Sequence, residues 1–311
     1  MSEAGTYEDV PGSLTGGADS IFRTADVVGD AWSWLVMREA LLYGVSRFEE
    51  FRTRLGISRS TLSARLVQLT AGGVLTRPES GSEYRVTEAG EDFLGCLLAA
   101  MRWGDRWYFE PGARPQAMTH LGCGHPLEAV FRCGVCRAVL VASEVTADRL
   151  GSFAGLPVST AGQKRRSPGL ELLERERICS IARTLTITGD WWTGLVIREC
   201  FFGTRRFDQF QRRLDIAPNI LAGRLRRLVE LDMLTKVQYQ AWPIRQEYRL
   251  TEKGIDYYQV PLAMLTWGRR WLTPTGFDAE LTHDGCGNAL HAILSCASCG
   301  EMISRADVAP A

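Results

Sequence analysis

Two short segments of the 311-residue chain carry the same spacing of soft ligands, and this repetition restricts the fold more than any other feature. The first reads His120-Leu-Gly-Cys123, nine residues, then Cys133-Gly-Val-Cys136. The second reads His283-Asp-Gly-Cys286, nine residues, then Cys296-Ala-Ser-Cys299. Both are H-x2-C-x9-C-x2-C, a set of thiolates and imidazoles in close pairs that suits tetrahedral Zn²⁺. Read along the chain, each segment supplies one four-ligand set, so two structural Zn²⁺ ions are expected. Four protein ligands leave no open position for catalysis. The nine-residue connections suit the strand-turn link of a zinc ribbon. Segments of about 35 residues build little core of their own, so the metal is expected to keep them folded. Reduced core cysteines with incidental spacing would not be expected to repeat it in two places. His125 and His291 do not align between the segments and read as ordinary polar residues.

The two segments lie 163 positions apart, and a longer repeat surrounds them. Gly29-Asp30-x-Trp32 pairs with Gly189-Asp190-x-Trp192, Arg38-Glu39 with Arg198-Glu199, and Arg47-Phe48 with Arg206-Phe207. Leu62-x-x-Arg65-Leu66 pairs with Leu221-x-x-Arg224-Leu225. Tyr84-x-x-Thr87-Glu88-x-Gly90 pairs with Tyr248-x-x-Thr251-Glu252-x-Gly254, and Trp103-Gly104-x-x-Trp107 with Trp267-Gly268-x-x-Trp271. The stretch between copies is rich in Gly, Ser, Pro and Thr and reads as a flexible linker; its Lys164-Arg165-Arg166 triplet reads as solvated. The expected organisation is a flexible tail over 1–18, one unit over 19–110, a zinc-ribbon-like module over 111–147 and the linker over 148–170. A second unit over 171–273 and a second module over 274–311 follow.

Within each unit the periodicity gives three helices, a hairpin and a last helix. Leu62, Leu66 and Leu69 share one helical face, Ser58 is positioned to cap that helix and Gly73 to stop it. Strands are expected over 74–77 and 83–86, and Thr87 caps a helix predicted to run to Trp107. A short helix, a turn and a second helix followed by a hairpin is the winged helix-turn-helix pattern, which lays the third helix in the major groove. The fold class is mainly α with small β-hairpin wings. Taken together, the paired motifs resemble the HxlR family of bacterial winged-helix transcriptional regulators, over about 20–107 and 179–271. The resemblance implies a DNA-binding regulator. Because such regulators act as homodimers on pseudo-palindromic operators, two copies in one chain imply a covalent pseudo-dimer, with further homodimerisation left open.

The outward residues of each third helix are the candidate readers of double-stranded DNA. Copy one offers Ser60 and Ser63, flanked by Arg59 and Arg65. Copy two offers Asn219, Arg226 and Arg227, flanked by Arg224, with Lys236 and Arg245 on a wing five residues longer than that of copy one. Asn reads adenine and Arg reads guanine bidentately, so copy two is expected to supply most of the affinity. Ion pairing on the helix surface is the alternative for Arg65 and Arg224. Between Arg198 and Arg249 there are 11 Lys and Arg against 6 Asp and Glu, and between Arg38 and Arg85 there are 8 against 5. The net charge of zero is therefore an average over basic helix-wing segments and neutral or acidic surroundings, not a bar to DNA.

Cys179 stands where some relatives, by the same resemblance, carry a redox-sensing cysteine; copy one has Asp19 there, and a structural thiol is the alternative. Cys96 and Cys200 read as core. The repeated tryptophans read as core or inter-copy packing, with an aromatic pocket for a small-molecule effector as the other reading. No apolar run approaches the roughly 18 residues of a membrane span, and the first residues lack a secretory pattern, so a cytoplasmic protein is expected. No phosphate loop, Ser-His-Asp set or open metal site is seen, which argues against an enzyme. A protein-interaction scaffold, with one or both winged helices binding protein, is the alternative function.

Overall fold

The computed structural model describes residues 20–78, 82–147, 167–272 and 280–311. The expected tail over 1–18, Asp19 and most of the expected linker, including the Lys164 triplet, lie outside them. Copy one contains α1 (Ser20–Val28), α2 (Ala31–Tyr43), α3 (Phe48–Leu55), α4 (Arg59–Ala71), β1 (Leu75–Thr76), β2 (Arg85–Val86), α5 (Glu88–Asp92) and α6 (Leu94–Tyr108). Its module adds β3 (Met118–His120), β4 (Ala129–Cys133) and β5 (Val145–Ala147). Copy two begins with a single turn, α7 (Leu170–Leu173). It continues through α8 (Ser180–Thr188), α9 (Trp191–Phe201), α10 (Phe207–Leu214), α11 (Pro218–Glu230), β6 (Leu234–Gln240), β7 (Arg245–Leu250), α12 (Glu252–Asp256) and α13 (Gln259–Trp271). Its module holds β8 (Leu281–His283), β9 (Asn288–Ala289), β10 (Ala292–Cys296) and β11 (Val308–Pro310).

Local signals set these boundaries. The carboxylate of Asp30 accepts the amides of Trp32 at 3.1 Å and Ser33 at 3.3 Å, which starts α2, and Asp190 accepts that of Thr193 at 2.9 Å to start α9. Ser58 accepts Thr61 N at 3.2 Å and caps α4, whereas α11 opens on Pro218, whose missing N–H costs nothing in the first turn. The inward stripes Leu62, Leu66, Leu69 and Leu221, Leu225, Leu228 are wholly buried.

The helix predicted to run unbroken from Thr87 to Trp107 is two helices, broken at Phe93. There the backbone tightens to three-residue hydrogen bonds, Phe93 N to Gly90 O at 3.2 Å and Cys96 N to Phe93 O at 3.0 Å. Gly90 is pressed so closely on Val74 O that an added Cβ would lie 2.2 Å away, tying α5 to the hairpin. Phe93 meanwhile turns inward, edge-on to Trp34 and Trp267 at 4.9 and 5.6 Å.

The two copies exchange elements about a pseudo-twofold axis. Helix α1 of copy one lies on α13 of copy two, and α8 of copy two lies on α6 of copy one. Both crossings depend on a glycine of the Trp-Gly-x-x-Trp motif. A Cβ on Gly104 would sit 2.1 Å from Ser180 O, and one on Gly268 2.4 Å from Ser20 O. The hydroxyl of Thr24 donates to Met264 O at 2.9 Å, and that of Thr184 to Ala100 O at 2.6 Å. The tryptophans reach across as well. Trp103 and Trp267 donate to Lys253 O (3.1 Å) and Ala89 O (2.7 Å), while Trp107 and Trp271 donate to the carboxylates of Asp256 (2.8 Å) and Asp92 (2.9 Å). They pack between the copies, with every one of these four indole N–H groups spent on the opposite copy.

Candidate nucleic-acid interface and metal centres

On α4 the face away from the leucine stripe exposes Arg59, Ser60, Ser63, Ala64 and Val67. Arg59 is ion-paired with Glu49 and lies over the Phe48 ring at 5.2 Å, and Val67 is 69% exposed. On α11 the same face exposes Asn219, Arg226 and Arg227, while Ala222 and Gly223 are half-buried. Arg227 leans back, donating to Thr186 O at 3.4 Å. Wing two is a hairpin in which Leu234 faces Leu250 and Lys236 faces Tyr248, with a bulge between Gln238 and Gln240. Lys236 and Arg245 are exposed on it, and its tip carries Trp242 at 89% and Ile244 at 68% exposure. Among the described residues of wing one, Leu75 pairs with Val86 and Thr76 with Arg85.

Arg65 and Arg224 do not belong to these faces, which corrects their place among the expected DNA contacts. Each guanidinium turns inward to the aspartate that caps the preceding long helix, Arg65 to Asp30 at 2.7 Å and Arg224 to Asp190 at 2.8 Å. The alternative of ion pairing is the one realised, but in the interior and not on the helix surface. The aspartate closes two valences with one side chain: it caps α2 or α9 and orients α4 or α11 against it.

The paired Arg-Glu motif holds the other short helix in the same way. Glu39 is wholly buried and accepts Arg38 at 2.6 Å and Arg54 of α3 at 2.6 Å. It also accepts Arg177, which arrives from copy two and lies 4.1 Å over the Tyr43 ring. Glu199 gathers Arg198, Arg213 of α10 and Thr204. In the sequence these residues stand out only as markers of the repeat. A paired Arg-Glu inside an apolar helix is the signal that would have identified them, since charge is buried only where it is paired. Cys179 adjoins the first cluster. Its buried sulfur accepts from Arg38 at 2.8 Å and from Ala182 N at 3.4 Å, capping α8, and its thiol donates to Gln116 Oε1 at 3.2 Å. Cys96 is buried; Cys200 is only partly exposed, and desolvation pushes both thiols far above the usual range.

The ribbon segments are where sequence spacing misleads most. The eight ligands do come together as two groups of four, but not as the two segments. His120 and Cys123 meet Cys296 and Cys299, while His283 and Cys286 meet Cys133 and Cys136. This corrects the within-segment sets: each centre takes one pair from each copy. The reason lies in the strands. β4 pairs antiparallel with β10, with Phe131 opposite its own repeat counterpart Leu294, so the pseudo-twofold axis passes through this pair. β3 takes β11 as its neighbour and β5 takes β8, both across copies. Within each centre the donor atoms lie within 4.8 Å of one another, and Nδ1 of each histidine faces the thiols at 3.2 to 3.5 Å. The cross-copy sulfur pairs are 4.0 and 3.9 Å apart, close to the roughly 3.8 Å edge of a tetrahedron with 2.3 Å zinc–sulfur bonds. Left-handed Gly124, Arg137, Gly287 and Gly300 follow a ligand in each half-site and turn the backbone back toward the sulfur. Hydrogen bonds from the Asn288 side chain and backbone and from His283 hold the Cys286 thiol down to about 6, favouring the thiolate that a metal needs. The residues therefore fit a structural metal.

With this geometry in view, the model of the HxlR-like helix-turn-helix family matches residues 27–111 and again 187–276. The chain belongs to the HxlR-like helix-turn-helix family. As a tandem HxlR-like protein it is a DNA-binding regulator, a non-catalytic class, and its two domains form a pseudo-dimer within one chain. It is 42% identical over 132 residues to an uncharacterised HTH-type transcriptional regulator of Mycobacterium tuberculosis (strain CDC 1551 / Oshkosh), a match covering 42% of this chain and 84% of that one. It is 30% identical over 93 residues to MalR of Fusobacterium mortiferum, named as a candidate regulatory protein, covering 29% of this chain and 88% of that one. A solved structure of a candidate transcription factor from Pseudomonas aeruginosa is 37% identical, covering 40% of this chain and 86% of that one, with a TM-score of 0.32. No helix among the described residues is long and apolar enough to cross a membrane.

Proposed function

We propose that this HxlR-like chain reads an asymmetric or pseudo-palindromic operator as a covalent pseudo-dimer, with copy two contributing most of the affinity. The difference between the two exposed faces carries this reading. α11 presents Asn219, Arg226 and Arg227 beside a long wing bearing Lys236 and Arg245, while α4 presents Ser60, Ser63 and an Arg59 already engaged by Glu49. The exchanged helices close the dimer interface inside one chain, so a second chain is not needed for it. Zn²⁺ is the ion the two four-donor centres suit, in a structural role. Nine cysteines without a disulfide fit a reducing, bacterial cytoplasm. A small-molecule effector is part of the reading; a redox role for Cys179 finds little support in its burial. The test is footprinting on DNA flanking the gene, followed by titration of Arg226→Ala with Arg227→Ala against Arg59→Ala. The expected result is a larger loss for the copy-two variant, with the salt slope reduced by about one per phosphate contact removed. Equal losses would overturn the ranking.

A second reading concerns copy one alone. Val67 and Ala64 make the exposed centre of α4 apolar, and Glu79 and Glu83 make wing one acidic, both suited to a protein partner. A footprint confined to one half-site would favour it.

A further inference from the structure

Each histidine of the metal centres has a second ring nitrogen, and in one centre that atom is stranded. Nδ1 of His283 faces Cys286 Sγ at 3.3 Å and Cys136 Sγ at 3.4 Å, so Nδ1 is the nitrogen placed for a metal. Nε2 must then carry the ring proton, because a metal takes a neutral imidazole. The His283 side chain is wholly buried, and its Nε2 has no hydrogen-bond partner. A buried N–H without an acceptor is costly, and metal-bound histidines almost always give this proton to a carboxylate, a carbonyl or water. A carboxylate stands on that side. Glu144 Oε2 lies 3.8 Å from Nε2, just beyond hydrogen-bond length. Among the described residues no hydrogen bond draws it elsewhere, and its side chain is 51% exposed, which leaves it room to close the gap.

Strand pairing is what brings the acid there. In the β5–β8 pair Val145 lies opposite His283, and the amide of Asp284 donates to Glu144 O at 2.8 Å. Thr146 Oγ1 donates to Asp284 Oδ2 at 2.9 Å, so the strand end bearing Glu144 is fixed beside the ring. The repeat keeps an acid at the matching place. Val308 lies opposite His120, and the amide of Leu121 donates to Asp307 O at 2.8 Å. Asp307 is one methylene shorter, however, and its Oδ2 already accepts the amide and hydroxyl of Ser304, at 2.8 and 2.6 Å. We propose that Glu144 is a positioning residue of the His283 centre: its carboxylate accepts the Nε2–H and holds the ring with Nδ1 toward the metal. Three thiolates on a divalent ion leave an excess of negative charge, so a carboxylate is favoured beside them only when it receives that proton. The acid comes from copy one and the histidine from copy two, which adds an outer link between the copies. This assignment rests on the metal reading above.

The experiment equilibrates the full zinc-loaded chain, under reducing conditions, against rising concentrations of EDTA and follows the zinc retained. In Glu144→Ala one of the two ions is expected to lose affinity by about 10- to 100-fold, while the other keeps its wild-type affinity. Glu144→Gln, which retains an acceptor oxygen, is expected to lose less. The same loss should appear in a chain carrying Cys123→Ser with Cys296→Ser, where the His283 centre is followed alone. His283→Cys supplies the decisive background. A thiolate has no second N–H to orient, so adding Glu144→Ala to it should change zinc affinity no further. If Glu144 acted only by holding β5 on β8, its loss would persist in that background. Persistence there, equal losses in Glu144→Gln and Glu144→Ala, or unchanged affinity of both ions in folded Glu144→Ala would overturn the assignment. A wild-type chain that takes up no zinc would instead overturn the metal reading, and the assignment with it.

Discussion

Arg224 and Arg226 are two residues apart on α11, yet one serves the fold and the other faces outward. Arg224 is mostly buried against Asp190, while Arg226 stays exposed. Mutation should separate the two roles. Arg226→Ala is expected to weaken operator binding while leaving the melting temperature unchanged, as a fluorescence anisotropy titration and a thermal scan will show. In copy one, Asp30→Ala removes a helix cap and strands the Arg65 guanidinium in the interior, with side-chain exposures of 10% and 9% in the intact pair. Breaking such a pair costs about 3–5 kcal/mol, so chemical denaturation should show a loss of that order. Gly104→Ala offers a steric counterpart. Its methyl would press on Ser180 O across the copy interface, and overpacking of this kind costs about 1–3 kcal/mol.

At the scale of elements, strand pairing decides which ligands share an ion. Bound zinc measured by atomic absorption should fall from two per chain to one in Cys123→Ser with Cys296→Ser, which share a centre. It should fall to none in Cys123→Ser with Cys133→Ser, which lie in one segment but damage both centres. The opposite pattern would restore the within-segment sets. This is also where sequence legibility ended. The leucine stripes, the Ser58 and Thr87 caps, the hairpins and all eight ligands could be read locally, because spacing and capping are properties of a few neighbouring residues. Which half-site meets which could not. His120 lies three residues from Cys123 and 176 from Cys296, and only the antiparallel pairing of β4 with β10 makes Cys296 a nearer partner than Cys133. Arg65 was ambiguous for a related reason: its partner Asp30 sits 35 residues upstream, on another helix.

At the scale of the molecule, the two repeats are one folded body and not two beads. A protease site placed between residues 147 and 167 should yield two fragments that still co-elute in size-exclusion chromatography. α1 lies on α13, α8 on α6, and three strand pairs run between the copies. Chelation by itself should loosen the ribbon layer of both copies together, seen as simultaneous loss of protection in β4 and β10 by hydrogen exchange, because each four-donor set draws on both copies and the two strands pair with each other. Two fully independent transitions would contradict an interlaced module.

The exchange of half-sites also sets how the protein responds to dilution. A metal centre assembled from two separate chains must wait for their encounter, and its occupancy falls when the chains become scarce. Here both halves travel on one backbone, so closing the ring of four donors is a first-order event governed by the effective concentration of the tether and not by abundance. A cell holding only a handful of molecules would hold them with their clamp already shut.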